Sequence, residues 1–152
     1  MTAPYDPDAA LTAAVTEIKN EIAQVNVKAS LLAALNIGIL IGTATITKDI
    51  PPHPLTYTLG AAGILTILAA TAYTLLAIRP NLGGSSPVGF PAWAGMTADE
   101  IRRDLDTDQR ASLTAVLAPI AVAKYRALRV TVHLDLLGLG LLAATGGIAP
   151  LV

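Results

Sequence analysis

The sequence predicts an all-α integral membrane protein. Three transmembrane helices are expected, with long helices extending into the cytoplasm, the N-terminus inside and the C-terminus outside. Three observations predict this. The 152 residues are 53% hydrophobic but only 14% charged, against roughly 25% charged in ordinary soluble domains. The shortfall is concentrated in three long stretches that carry almost no charge. The basic residues, finally, fall almost wholly on one side of those stretches, and such a bias sets membrane orientation.

Residues 1–28 read as a cytoplasmic amphipathic helix with a loose start at Pro4 and Pro7. The helix is expected from Asp8, whose carboxylate can cap the first free N–H groups. Leu11, Val15, Ile18, Ile22 and Val25 recur every three or four residues and form one apolar stripe for packing on another helix. Lys19 and Lys28 stand against Glu17 and Glu21, a poor balance for lying on anionic lipid. The first 16 residues contain Asp6 and Asp8 and no Lys or Arg. A cleavable signal peptide starts with a basic region, so the first span is expected to stay in the mature protein.

Residues 29–47 form the first span. Their 19 uncharged residues reach about 28 Å as a helix, close to the hydrocarbon thickness of a bilayer. Nothing breaks the pattern between Asp8 and Thr47, so one helix is expected to run through both segments. Residues 48–54, with Pro51, Pro52 and Pro54, cannot continue it and read as an external turn. Residues 55–78 are uncharged for 24 positions and form the second span, with room for tilt. Pro80 disfavours helical backbone at Arg79 and ends it.

Residues 79–129 read as a cytoplasmic loop followed by helices. Residues 80–95 are rich in Gly, Pro and Ser, with Phe90 and Trp93 as their large apolar groups; Trp93 suits a membrane interface. Thr97-Ala98-Asp99-Glu100 has capping-box spacing, so a short helix carrying Ile101 and Leu105 should follow. Asp106-Thr107-Asp108 can cap another, kinked at Pro119, that runs through Lys124–Arg129 into the last span at residues 130–152. His133 and Asp135 lie in the first turns of that span. Lys19, Lys28, Arg79, Arg102, Arg103, Arg110, Lys124, Arg126 and Arg129 then fall on one side and only Lys48 on the other, which places the larger group in the cytoplasm.

The residues exclude more chemistry than they offer. The chain has no cysteine, so neither disulfides nor thiolate metal sites arise. A net charge of −1 gives no basic field for nucleic acid. His53 and His133 fall on opposite sides of the membrane, which leaves no shared metal site or triad. Asp104, Asp106 and Asp108 have the spacing of the start of a calcium loop, but Gln109 and Ala115 stand where its Gly and Glu belong. Gly83-Gly84-Ser85-Ser86 lacks the lysine of a phosphate-binding loop and reads as a linker. No catalytic residue, metal or cofactor is expected, and the chain is not read as an enzyme.

Two groups of residues are candidates for function. Arg102, Arg103, Arg110, Lys124, Tyr125, Arg126 and Arg129 could receive an anionic ligand, since the planar fork of arginine matches a phosphate and Tyr125 or Trp93 could stack on a base. Their alternative role is to set topology. Inside the spans, Lys28, Asn36 and Asp135 are polar or charged. Asn36 should seek an interhelical partner, while Asp135 either pairs with Lys28 or Arg129 or lines an ion path. Gly38 and Gly42 have the small-xxx-small spacing of close helix packing, within the bundle or between copies.

Taken in order, these segments resemble a known family. Val27-Lys28-Ala29-Ser30-Leu31-Leu32 leads into a first span with Leu35-Asn36-Ile37-Gly38; the second span ends in Ile78-Arg79-Pro80; Lys124-Tyr125-Arg126-Ala127-Leu128-Arg129 leads into the last. From about residue 15 to 145 this is similar to the transmembrane effector family of the Pycsar antiphage systems. The family pattern has an acidic residue where Asn26 stands and Asn-Gly where Asn36-Ile37 stands. The resemblance implies a bacterial immune effector that is activated by cyclic CMP or cyclic UMP from a partner cyclase and impairs the inner membrane. Three spans cannot enclose an aqueous pore, so a homo-oligomer is expected in the lipid bilayer. The competing readings are a small membrane scaffold and a channel or transporter subunit with no nucleotide ligand.

Overall fold

The computed structural model of the protein describes residues 6–46, 53–80 and 87–151. The prolines at 51 and 52 with Lys48, the Gly83–Ser86 linker and Pro4 lie outside the described residues. Among the described residues all regular structure is helical: α1 (Pro7–Ile46), α2 (Pro54–Ile78), α3 (Phe90–Trp93), α4 (Ala98–Leu105) and α5 (Arg110–Ile148), closed by a 3₁₀ turn at Ala149–Leu151. Three of these, α1, α2 and α5, are long and apolar enough to cross a membrane.

The helix ends follow from local chemistry. α1 starts one residue earlier than Asp8, and its cap is Asp6. The Asp6 carboxylate accepts from the N–H groups of Asp8 at 3.0 Å and Ala9 at 3.3 Å. Pro7, read from sequence as part of a loose start, occupies the first helical position, where its missing N–H costs nothing. Likewise α2 begins at Pro54, not Leu55, with His53 as cap: its Nδ1 accepts from Leu55 N at 3.3 Å. Arg79 leaves the helix with ψ at 131°, as the following proline requires. The capping box at Thr97 and Glu100 is closed in both directions. Residues 90–93, expected to be loop, make the single turn α3. Gly89 turns the chain with φ at 70° and its carbonyl accepts from Ala92 and Trp93, a backbone setting that glycine adopts without strain.

The chain divides into two compact units, and α1 and α5 supply residues to both. The first comprises the described residues of Met1–Gln24 and Pro80–Ala123. Here the apolar stripe of α1 faces inward: Val15 is buried, and Leu11, Ile18 and Ile22 are half-buried. Asp104 ties α3, α4 and the start of α5, accepting from Trp93 Nε1 at 2.7 Å and from Gln109 Nε2.

The second unit comprises Val25–Arg79 and Lys124–Val152, and it holds the apolar length of all three candidate spans. One end of its core is Val25, Ala29 and Leu128, covered by Leu32, Ile78 and Tyr125. Of the three long helices α2 is the most enclosed, and apart from Ile67 its inward stripe is small: Thr56, Gly63, Ala70, Thr74 and Ala77. Large apolar side chains such as Leu31, Leu35, Ile41, Leu65, Leu76 and Leu136 point outward. In water that surface would be a severe liability; in lipid it is the expected one.

Candidate functional site

The interior of the second unit mixes apolar with polar side chains. Every buried polar or charged residue described (Asn36, Thr56, Thr74, Thr131, Asp135 and Thr145) lies on its three long helices. The threonines are satisfied locally where their bonds are seen. Thr74 Oγ1 donates to the Ala70 carbonyl at 3.0 Å and lies 3.4 Å from Thr131 Oγ1 across the α2–α5 contact. Asn36 and Asp135 are different. Asn36 on α1 is fully buried and Asp135 on α5 is 4% exposed. The Asn36 amide lies close enough to act on the Asp135 carboxylate, yet no polar atom of either side chain reaches hydrogen-bond geometry with a partner. The pair is set face to face without closing.

This corrects the expectation that Asp135 pairs with Lys28 or Arg129. Among the described residues Asp135 makes no ion pair. Helical geometry gives the reason. Asn36 lies seven residues beyond Ala29, about 10 Å further along α1, beyond the level at which Lys28 meets α5. Lys28 instead places its ammonium 5.9 Å from the centre of the Tyr125 ring, within the range of a cation–π contact.

The basic candidates do not form one cluster. Arg102 and Arg103, on α4 in the first unit, turn back on Asp99: Arg102 Nη1 pairs with its carboxylate at 2.9 Å and Arg103 Nε donates to its carbonyl. Both Arg102 and Asp99 are largely exposed, so the pair is a weak one. Arg110 is fully engaged. Its guanidinium donates to Asp108 through Nε and Nη2, to Asp8 through Nη1 and Nη2, and to Thr12 Oγ1. It pins the start of α1 to the start of α5, and its hydrogen bonds hold the Asp108 carboxyl down at about 2.

Lys124, Tyr125, Arg126 and Arg129 belong to the second unit. The half-buried Lys124 donates to Asn26 Oδ1 at 3.1 Å and to the Ala77 carbonyl, tying α5 to both α1 and α2. Arg126 and Arg129 are exposed and, among the described residues, their guanidinium groups make no hydrogen bond or ion pair. His133, exposed on the same helix, directs Nδ1 at the Arg129 carbonyl.

Asn26 was named in the sequence only as a departure from a pattern; the structure gives it a partner. An aspartate there would set a full charge beside Lys124. Attraction at this separation is several kcal/mol at an intermediate dielectric, offset by desolvation. Asn26→Asp is therefore expected to raise stability by about 1 kcal/mol, read as a higher midpoint in thermal unfolding of the detergent-solubilised chain. Lys124→Met should erase the gain.

Helix packing uses different glycines from those the sequence singled out. A Cβ at Gly38 or Gly42 would meet nothing within 4 Å, so neither serves packing inside the chain. The close approach lies between α2 and α5. A Cβ at Gly63 would fall 2.9 Å from Leu142, and one at Gly138 would fall 2.7 Å from Ile67 and 3.3 Å from the Gly63 carbonyl oxygen. Gly63 and Gly138 stand far apart in sequence, without a small partner at the diagnostic spacing that would have marked them as a pair.

The first unit also holds a groove of about 810 Å³, walled by Ile22, Val88, Phe90, Leu113, Val116 and Leu117. Its size would suit a small ligand. Its rim carries Asp104, Asp106 and Asp108 against Lys19 and Arg110, a balance of charge that repels an anion. Among the described residues no group of three or more His, Asp or Glu could hold a metal ion.

No curated protein and no solved structure matches the chain. The family model described as the Pycsar effector protein domain, PycTM, matches residues 10–151. That range takes in α1, α2 and α5 with their apolar lengths, the Asn36–Asp135 pair and the Lys124–Arg129 segment together. The chain belongs to the Pycsar effector family, membrane proteins of antiphage defence tied to cyclic pyrimidine signalling.

Proposed function

We propose that this protein is the membrane-acting arm of an antiphage response: a cyclic pyrimidine nucleotide, cyclic CMP or cyclic UMP made by a partner cyclase, switches it to a state that impairs the inner membrane. The observation that carries this reading is the match to the effector family over a chain whose three spans enclose polar, partly unsatisfied side chains. A passive anchor has no need of such an interior. The one-sided distribution of basic residues supports an N-terminus and a first unit in the cytoplasm and a C-terminus outside. The chain acts without catalysis of its own, through ligand-dependent rearrangement of helices.

The nucleotide phosphate is assigned to Arg126 and Arg129. They are one turn apart on α5, exposed, and free of the carboxylates that occupy Arg102 and Arg110. Tyr125, adjacent to Arg126 in sequence, carries the Lys28 ammonium over its ring. A ligand can shift an equilibrium only by its differential affinity for two states, and α5 carries both these arginines and Asp135, nine and six residues further on from Arg126 and Arg129. Three helices cannot surround an aqueous lumen, so the active state is a homo-oligomer, for which the uncommitted Gly38 and Gly42 face offers close packing.

The test is membrane potential in cells expressing the protein while cyclic CMP or cyclic UMP is raised. Depolarisation should require both protein and nucleotide, and Arg126→Glu should abolish it. Membrane-inserted protein that leaves the potential unchanged with either nucleotide would overturn the reading in favour of a scaffold. Retention of nucleotide binding by Arg126→Glu would move the ligand site elsewhere.

A further inference from the structure

The second unit is held together unequally, and the inequality points to Asp135. α2 and α5 are clamped along their length by the Gly63–Gly138 approach and by buried residues from Thr56 to Ala77 and from Leu128 to Thr145. α1 is fully buried at Val25, Ala29 and Asn36, and only half-buried on the same face beyond, at Ile39, Leu40 and Thr43. The Asn36–Asp135 pair is therefore the last fully buried point of α1. Four polar atoms there lack partners. Orphan polar atoms in a packed interior are costly, and a carboxylate is the costliest of them. Water or an ion admitted between α1 and α5 would relieve that cost, whereas the α2–α5 seam has nothing comparable to gain from opening.

We propose that Asp135 is the ion-selecting residue of a cation path, formed when α1 moves off α5 at Asn36 in an assembly of several copies. The proposal rests on the nucleotide-gated reading above and specifies it: the loss of membrane integrity is a flow of small monovalent cations. Carboxylates contributed by several copies line the path, as rings of acidic side chains do in cation channels. The Asn36 carbonyl oxygen replaces part of the hydration shell of the passing ion. Intramembrane carboxylates that face a protein interior commonly mark ion routes; what assigns the route here is the unpartnered pair at the last fully buried turn of α1.

The experiment uses the full chain in liposomes fused to a planar bilayer, with potassium chloride unequal across it and cyclic CMP or cyclic UMP on one side. The wild-type current should reverse near the potassium equilibrium potential. Asp135→Asn should still conduct, with its potassium-over-chloride preference reduced on the order of tenfold, as removal of a fixed charge beside the permeant ion implies. Because the chain has no cysteine, Asp135→Cys supplies a second readout: a charged thiol reagent should label it with nucleotide present and leave it unlabelled without. A current whose reversal potential is the same in wild type and Asp135→Asn would overturn the assignment of Asp135 and leave the gated effector standing. Labelling independent of nucleotide would overturn the opening at Asn36. Absence of any nucleotide-dependent current would bring down the gated reading and this inference with it.

Discussion

Asp135→Leu is expected to make the protein more stable and, in the same stroke, inactive. In the packed arrangement the Asp135 carboxylate is buried at 4% exposure with neither oxygen bonded. An aspartate costs about 2.5–3.5 kcal/mol at the centre of a membrane helix, on insertion scales, and less in the first turns, where Asp135 stands. Leucine has the opposite preference, and its extra volume is modest beside an α1 face that is only half-buried beyond Asn36. A gain of about 2 kcal/mol is expected, measured as a higher unfolding midpoint in detergent. The same substitution removes the group that makes an opened state worth hydrating, so cells expressing it should keep their membrane potential when the nucleotide is raised. A destabilised Asp135→Leu would show that the carboxylate has a partner the packed state depends on. Natural sequences hold stability-costing groups chiefly at functional sites, and this pairing of gain and loss is the signature to look for.

Gly138→Val is expected to have the largest effect in the opposite direction. A Cβ at this position already lies 2.7 Å from Ile67 Cδ1, 2.9 Å from Ile67 Cγ1 and 3.3 Å from the Gly63 carbonyl oxygen. Ile67 is itself fully buried, so it has little room to yield, and the backbone of α2 has less. Overpacking costs about 1–3 kcal/mol where neighbours can move; with a backbone atom in the way the upper end of that range is expected. The readout is loss of the folded, monodisperse species in detergent. Gly38→Ala and Gly42→Ala serve as controls. Neither meets an atom within 4 Å, and each should gain the helix preference of alanine over glycine, up to about 1 kcal/mol. If the uncommitted glycine face is where copies meet, these alanine variants should weaken self-association while leaving the single chain intact.

Comparison of the two glycine pairs shows what is readable in a sequence. Gly38 and Gly42 are conspicuous because they stand four apart on one helix, and that spacing says only that two small residues share a face. Whether anything packs on that face depends on how α1 is turned toward its neighbours. Gly63 and Gly138 lie on different helices, neither with a small residue four positions away, and only the approach of α2 to α5 makes them a pair. The same holds for the charges. Asp135 and Lys28 look like natural partners by distance from the membrane edge, but helix rotation and rise bring Asp135 to Asn36 and Lys28 to Tyr125. Lys124 looks like one more free cation in a basic run, yet it is turned inward to Asn26 and Ala77, leaving Arg126 and Arg129 outside.

Local rules carried the rest. The apolar lengths determined three spanning helices, because a bilayer demands about 20 apolar residues and internal satisfaction of every backbone group. The amphipathic stripe of Leu11 to Val25, the capping box at Thr97 and the stop at Arg79-Pro80 were legible because each depends on residues within a few positions of one another. Small displacements arose where proline was read only as a breaker, since Pro7 and Pro54 start their helices. By itself, then, the sequence determined the helices, their apolar lengths and the family motifs, all products of short-range periodicity and composition. The tertiary structure alone decided which side chains face each other: the orphaned Asn36–Asp135 pair, the Gly63–Gly138 seam and the sorting of bound from free cations. Those depend on the rotation of one helix against another, which is set by packing over the whole interface and is written in no single stretch of chain.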